Sequence, residues 1–544
     1  MKKILLINFK RIGDIISSLS AITMNDDTEY HMLCFKEFKK VPKSLNNKIH
    51  FHFIDRKKIE FLLKSPLIND ALAIKEMHQA TEELTQIDFD EIINFSNDKL
   101  ASRLVSLFKN GGTVTRGIYY KENRIKHSGA WEILYNNVVP KSKIYPVNLK
   151  DIFGYMVGNP NNRDSSFLKF NPKNDDMVKT NYNAIKDKFS HYGIMPKIVG
   201  IAPFASTKTK SIGVEETIKL IDIFKNQRKH QVPVVIHAPI DSEREKVQEI
   251  SAQFKGNLIT IEADLLALNS VLKNLDALIT ADSATIHYAN AVGVNSLMIA
   301  KGEAPLFLQG TAEPGDLVLT NITYSQKRAT PKPIEAEEIF LASQLIIEPQ
   351  RELDLANFNS RLYLVNADAF GVYYMQITNH IDYDLNEIKR DIQRNFIMKS
   401  FVGFTPKIHI PSKIIHDEST KALFEAEKLN IFAITKNVLT CLRLVRATSA
   451  EGQKQFVQTL ESIISYSDDE SSLSALPVTL FYNQINDIEA VDAQDSVKQF
   501  EKRLFELKNN LQVIFNLFKE YEAVMIAKKA KKSQISIRET GVTK

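Results

Sequence analysis

Twice along this chain a short apolar run gives way at once to a polar loop and then to a helical pattern, and each time the alternation continues. The first series opens at residues 4–7 (Ile-Leu-Leu-Ile), followed by a loop containing Gly13, with further strand-like runs at 50–54, 91–94 and 113–118. The second opens at residues 198–202 and continues with helices over 215–224, 242–254, 265–275 and 284–292. These are interleaved with strands at 232–237, 258–261, 277–280 and 296–299. Strands alternating with helices build a parallel sheet from βα units. The expected fold is therefore α/β: two Rossmann-like doubly wound domains facing a cleft, over residues 1–165 and 175–345. The turn-rich stretch from Asn159 through Arg163 to Pro172 reads as the linker between them.

The rest of the 544 residues follows different rules. Residues 350–415 mix β-rich runs at 361–365 and 372–377 with a polar helix, and their pattern assigns no fold. Residues 416–535 read as a mainly helical, coiled-coil-like module. Apolar residues recur there at Val497, Phe500, Leu504, Leu507, Leu511, Ile514, Phe518, Tyr521 and Met525, a spacing of three and four. Phe424, Ile431, Ile434, Val438, Cys441 and Val445 supply a facing helix. Two long helices packing within one chain is the plainer reading, and a homo-oligomer through the same seam is the alternative. Residues 536–544 read as a flexible tail. Just before them, Lys528-Lys529-Ala530-Lys531-Lys532 is a solvated run with the charge to touch anionic lipid.

Composition narrows the class. Hydrophobic residues at 44% and charged residues at 25% are ordinary for a globular protein, and a net charge of +5 is too mild for a nucleic-acid binder. Cys34 and Cys441 lie far apart, outside any metal-type spacing, which fits a reducing compartment. The apolar run of the N-terminus stops at Lys10 and Arg11, too short for a secretion signal. No window supplies the roughly 18 apolar residues that span a bilayer. A cytoplasmic protein is expected, with any contact at the inner membrane peripheral.

Three loops hold residues that can carry chemistry. Arg11-Ile12-Gly13-Asp14 follows the first strand, where a glycine lets ligand and backbone approach closely and a helix start favours anions. Asp14 there is either a helix cap or a functional carboxylate. Ala202-Pro203-Phe204-Ala205-Ser206-Thr207-Lys208-Thr209-Lys210 opens the second domain; its hydroxyls and ammonium groups suit a diphosphate, or merely a solvated turn. Asp282-Ser283-Ala284-Thr285-Ile286-His287 lies at a strand end and helix start, fit to hold sugar hydroxyls or phosphate oxygens, or to cap a helix. No metal-ligand cluster, GxGxxG, P-loop, GxSxG elbow or DxD-like pair accompanies them.

In this order and spacing the loops resemble the heptosyltransferases of glycosyltransferase family 9, enzymes of GT-B fold that build the inner core of bacterial lipopolysaccharide. The matching elements are Gly13-Asp14, Lys210-Ser211-Ile212, Glu243-Arg244 and the stretch from Asp282 to Ala291, the last being the most specific. The resemblance covers roughly residues 1–345. It implies Asp14 as the general base on the acceptor hydroxyl, with Arg11 and Gly13 on the acceptor side. Ser206, Thr207 and Lys210 would hold the donor diphosphate, with Lys210 also stabilising the leaving nucleotide. Glu243 would lie near the nucleoside, and Asp282, Ser283 and His287 would contact sugar and phosphates. An inverting transfer without metal or cofactor follows, from a nucleotide diphosphate-sugar (ADP-heptose) to a lipopolysaccharide core. A protein acceptor, as for relatives that modify adhesins, is the second reading. A degenerate transferase scaffold binding a partner is the third. Ala284 in place of glycine, Ile212 in place of an aromatic, and Lys301-Gly302 in place of Phe-Gly depart from the family pattern around the donor pocket.

Overall fold

The computed structural model describes residues 1–544 apart from 65–68, 140–143, 163, 191–194, 229, 302–304, 323–332, 351–352, 379–384, 406–417, 470–471 and 540–544. The expected Gly302 and the end of the expected tail fall outside them, as do the side chains of Lys528–Lys532. Two compact units emerge: Met1–Gly129 with Val147–Ile322 and Ala329–Ile381, and Ala130–Pro146 with Thr323–Arg328 and Asp382–Lys544.

The first unit holds both α/β domains. The N-terminal sheet is built from β1 (Lys2–Ile7), β2 (Thr28–Phe35), β3 (Ile49–Ile54), β4 (Glu91–Asn94) and β5 (Val114–Arg116), all parallel and ordered β3-β2-β1-β4-β5. Its core, including Leu5, Ile7, Leu33, Ile92 and Leu104, is almost wholly buried. That continuous apolarity is what a parallel strand covered on both faces requires. The expected strand at 113–118 is divided. Gly117 has φ +105, where a Cβ would overlap the Asn94 carbonyl, and beyond it the chain turns into the hairpin β6 (Ile118–Lys121) and β7 (Arg124–His127).

The second sheet consists of β8 (Lys197–Ala202), β9 (Gln231–His237), β10 (Ile259–Glu262), β11 (Ala277–Ala281), β12 (Ser296–Ala300), β13 (Leu317–Thr320), β14 (Arg361–Ala367) and β15 (Val372–Gln376). Its order is β10-β9-β8-β11-β12-β13-β14-β15, parallel as far as β13 and antiparallel beyond. The α/β, GT-B-type fold expected from the alternation is therefore present, with one sheet in each domain. Part of the segment without an assigned fold proves to be the antiparallel edge of this sheet. The stretch around Asn159 is a packed connection: Asn159 Nδ2 donates to Thr23 Oγ1 (3.0 Å), Asn162 Nδ2 donates to the Ser20 carbonyl (3.1 Å), and Phe167 is fully buried.

The second unit is helical. It comprises Ala130–Ile133 with the turn Leu134–Val138, Leu385–Ile397, Glu418–Leu444, Ala450–Ile464, Ala475–Asn486 and Ala493–Glu539. A first-domain boundary at 165 did not anticipate that Ala130–Pro146 would group with these helices. The two long helices pack on each other within the chain through the expected seam: Ile431, Ile434, Val438, Leu504, Leu507, Leu511 and Ile514 are buried, and the Phe424 and Phe518 rings lie 5.2 Å apart. Glu427 is 3% exposed and accepts from Ser472 Oγ (2.9 Å), Leu473 N (2.9 Å), Ser474 N (3.3 Å) and Ser474 Oγ (3.1 Å), just ahead of the helix Ala475–Asn486. A helix N-terminus and four donors are what a buried carboxylate needs. Glu427→Ala strands those donors and should destabilise this unit by about 3 kcal/mol. Chemical denaturation followed by circular dichroism would measure the loss, which Glu427→Gln should reduce.

Candidate functional site

In an open α/β sheet, ligands bind beyond the carboxyl ends of the strands where the strand order reverses. In the N-terminal sheet the order reverses beside β1, and the loop leaving β1 ends at Arg11, with Gly13 and Asp14 in the first turn of the helix that follows. In the second sheet it reverses between β8 and β11. The loop leaving β8 carries Ser206, Thr207 and Lys210, and the loop leaving β11 carries Asp282 and Ser283, with His287 one turn into the helix that follows. Topology thus directs each loop to the switch point of its own sheet. They meet around a cleft of about 560 Å³, lined by all ten residues singled out from the sequence, Glu243 included.

Asp14 is 6% exposed in the first turn of the helix Ile12–Ser20. Its carboxylate accepts from the Arg11 backbone N–H (3.2 Å) and from Gln309 Nε2 (3.2 Å), a residue of the second domain. Arg11 is thus the N-cap residue, and Asp14, expected at that position on the capping reading, stands at N3 and reaches back to the Arg11 backbone. Burial pushes its pKa above the usual carboxylate range, and the neighbouring His287 opposes that shift most strongly. His287 shifts the other way: burial lowers its pKa, against the pull of Asp14 and Asp282. Its Nδ1 lies 3.1 Å from Ser17 Oγ.

Gly13 is there because nothing larger fits. A Cβ at this position would overlap His287 Cδ2 and stand 2.7 Å from Nε2. Gly13→Ala should therefore push the imidazole out of the cleft wall. Displacement of that size should lower kcat/KM of the activity proposed below about 100-fold. Steady-state kinetics checks this, alongside a melting curve close to that of the wild type.

In the second domain, Lys210 Nζ lies 2.7 Å from Asp282 Oδ2, with side chains 15% and 10% exposed. Ser206 and Thr207 are exposed on the same loop. The Ser211 hydroxyl holds this loop in shape by donating to the Thr207 carbonyl (3.0 Å) and accepting from Ala205 N (3.0 Å). Ile212, where an aromatic was expected, is 2% exposed and packs into the domain core with Phe204. Lys301 donates to the Ser211 carbonyl (3.3 Å), bracing the same loop from behind. Ser283 caps the helix Ala284–Val292, accepting from Thr285 N (3.3 Å). Glu243 Oε2 accepts from Ala238 N (2.7 Å) and so shapes the loop leaving β9. Arg244 turns away to pair with Glu262 and Asp241.

Among the cleft residues that went unnoticed in the sequence, Phe38, His237 and Gln309 carry aromatic or polar side chains. His237 ends β9 and carried a positional signal of the kind used for Asp14. Gln309 carried none, since the short helix Leu306–Gln309 reaches Asp14 only through the tertiary fold. Among the described residues no group of three or more His, Cys, Asp or Glu side chains is placed to hold a metal ion, and no helix is long and apolar enough to cross a membrane.

Residues 158–329 match the family model of glycosyltransferase family 9 (heptosyltransferase). A search of curated proteins gave no match. Similar solved structures include a family 9 glycosyl transferase from Veillonella parvula, with 16% identity and a TM-score of 0.49, over 64% of this chain and 97% of that one. Another is the E. coli ADP-heptose lipopolysaccharide heptosyltransferase II, at 11% and 0.44 over 64% and 100%. A third is a UDP-GlcNAc 2-epimerase from Neisseria meningitidis, at 13% and 0.31 over 64% and 92%.

Proposed function

We propose that this chain, whose residues 158–329 match the family model of glycosyltransferase family 9, transfers a heptose or related sugar from a nucleoside diphosphate, ADP foremost, to a lipopolysaccharide core hydroxyl. The observation that carries this reading is the division of labour across the cleft. A buried carboxylate, Asp14, comes from one domain, and an ammonium braced by a carboxylate, Lys210 with Asp282, comes from the other.

Asp14 removes the proton from the acceptor hydroxyl as its oxygen bonds to the anomeric carbon. The bond from that carbon to the diphosphate oxygen breaks, and the electron pair leaves with the nucleoside diphosphate. Attack opposite the leaving group inverts the anomeric centre. Lys210 and the hydroxyls of Ser206 and Thr207 compensate the charge that develops on the departing diphosphate. Asp282 and Ser283 bind sugar or phosphate oxygens. His287, whose pKa burial lowers, lines the cleft beside Asp14. Arg11, exposed beside Asp14, suits an anionic acceptor.

The test is to incubate the protein with ADP-heptose and a heptose-deficient lipopolysaccharide core. ADP release and a mass gain of one heptose, both dependent on acceptor, are expected. Turnover of donor without acceptor would instead favour an epimerase-like activity and overturn the reading.

A further inference from the structure

The helix Glu418–Leu444 is apolar on two opposite faces, and among the described residues only one is packed. Phe424, Ile431, Ile434, Val438 and Cys441 are buried in the helical unit. On the outward face Leu429 is 72%, Phe432 73% and Leu439 42% exposed. Glu425, Leu429, Phe432, Lys436, Leu439 and Arg443 follow one another at intervals of four and three, the spacing of a helix–helix seam. Single exposed apolar residues are common; a regular stripe of them along one helix marks a contact surface.

We infer that this stripe pairs with the same stripe of a second copy, the two helices running antiparallel about a two-fold axis at the level of Ile434. The residues themselves specify that arrangement. About such an axis Leu429 meets Leu439 of the second copy, Phe432 meets the Lys436 stem and ammonium, and Glu425 meets Arg443. Each contact occurs twice, as a two-fold interface requires. Glu425 is 70% exposed, with Lys428 beside it at 3.0 Å. Arg443 is exposed and, among the described residues, bonds within its own helix, to the Leu439 carbonyl and Thr440. Arg446, further along, already pairs with Glu501, and Lys421 with Glu418. A parallel pairing would set Glu425 against Glu425 and Arg443 against Arg443, which like-charge repulsion disfavours. The same Glu425 opposes an anionic lipid surface. This face is opposite the one that packs against Ala493–Glu539, so a dimer here leaves the internal seam intact.

Sedimentation equilibrium of the full chain over the micromolar range tests the proposal. The mass should rise with concentration from 61.9 kDa towards twice that value. Leu429→Glu, at an exposed site, should weaken self-association about 100-fold with an unchanged circular dichroism spectrum. Glu425→Arg or Arg443→Glu alone should weaken it too, and the two together should restore it, because the charge pair is then re-formed with its sign reversed. A monomer at every concentration would overturn the inference. So would a dimer indifferent to Leu429→Glu, or charge swaps that fail to rescue each other.

Discussion

Asp14→Asn should lower the rate of sugar transfer about 10³-fold, the scale of a lost general base, while the protein still folds and binds donor. The substitution keeps the size of the side chain and removes only its capacity to take a proton. The pH dependence should identify the group. Burial raises Asp14 above the ordinary carboxylate range, so the acid limb of kcat/KM should lie at higher pH than an unperturbed aspartate gives, and it should vanish from the residual activity of Asp14→Asn. Stability carries the opposite sign. With its folded pKa raised over the unfolded one, Asp14 favours the fold fully below the unfolded pKa. That contribution is lost as pH rises through the folded pKa. The melting temperature of Asp14→Asn should therefore gain on the wild type as pH is raised from acid to neutral. A gap constant with pH would contradict this account of Asp14.

The second large effect is expected at Lys210. Lys210→Ala removes the cation that we propose faces the donor diphosphate and leaves the Asp282 carboxylate, 10% exposed, without its 2.7 Å partner. The site then presents net negative charge to an anionic ligand. Donor affinity should fall about 100-fold, as expected for lost charge-assisted hydrogen bonds, and turnover should fall by about 10²- to 10³-fold more. Lys210→Arg should recover binding better than turnover, because the charge remains but its point of contact moves. Lys210→Ala combined with Asp282→Asn should bind donor better than Lys210→Ala alone, since the repulsive carboxylate is also gone. Calorimetry and initial rates on the same preparations separate these effects.

Much of the site was legible because strand ends and loop chemistry are local. An apolar run ending in Gly13-Asp14, another ending in a loop rich in hydroxyls and lysines, and a third ending in Asp282-Ser283 each declare a strand–loop–helix junction. The topology then brings such junctions to the switch points of the sheets. What the pattern missed was tertiary. Gln309 bonds to Asp14 across 295 positions of sequence. β2 (Thr28–Phe35) escaped notice although it is almost wholly buried beside β1. The single strand expected at 113–118 ignored what Gly117 does at positive φ. Residues 361–376 gave a clear β pattern, but nothing local says that they pair with β13 (Leu317–Thr320) to extend a sheet begun much earlier in the chain. The spacing of the long C-terminal helices disclosed their shared seam. The outward stripe on Glu418–Leu444 became visible only once the inward face was seen to be filled.

The most direct test of the central claim is calorimetric titration of ADP, GDP and UDP into the wild type, Lys210→Ala and Asp14→Asn. The wild type should bind one nucleotide, ADP, one-to-one, with affinity unchanged in Asp14→Asn and about 100-fold weaker in Lys210→Ala. Absence of binding by any of the three nucleotides, or binding indifferent to Lys210, would contradict that claim.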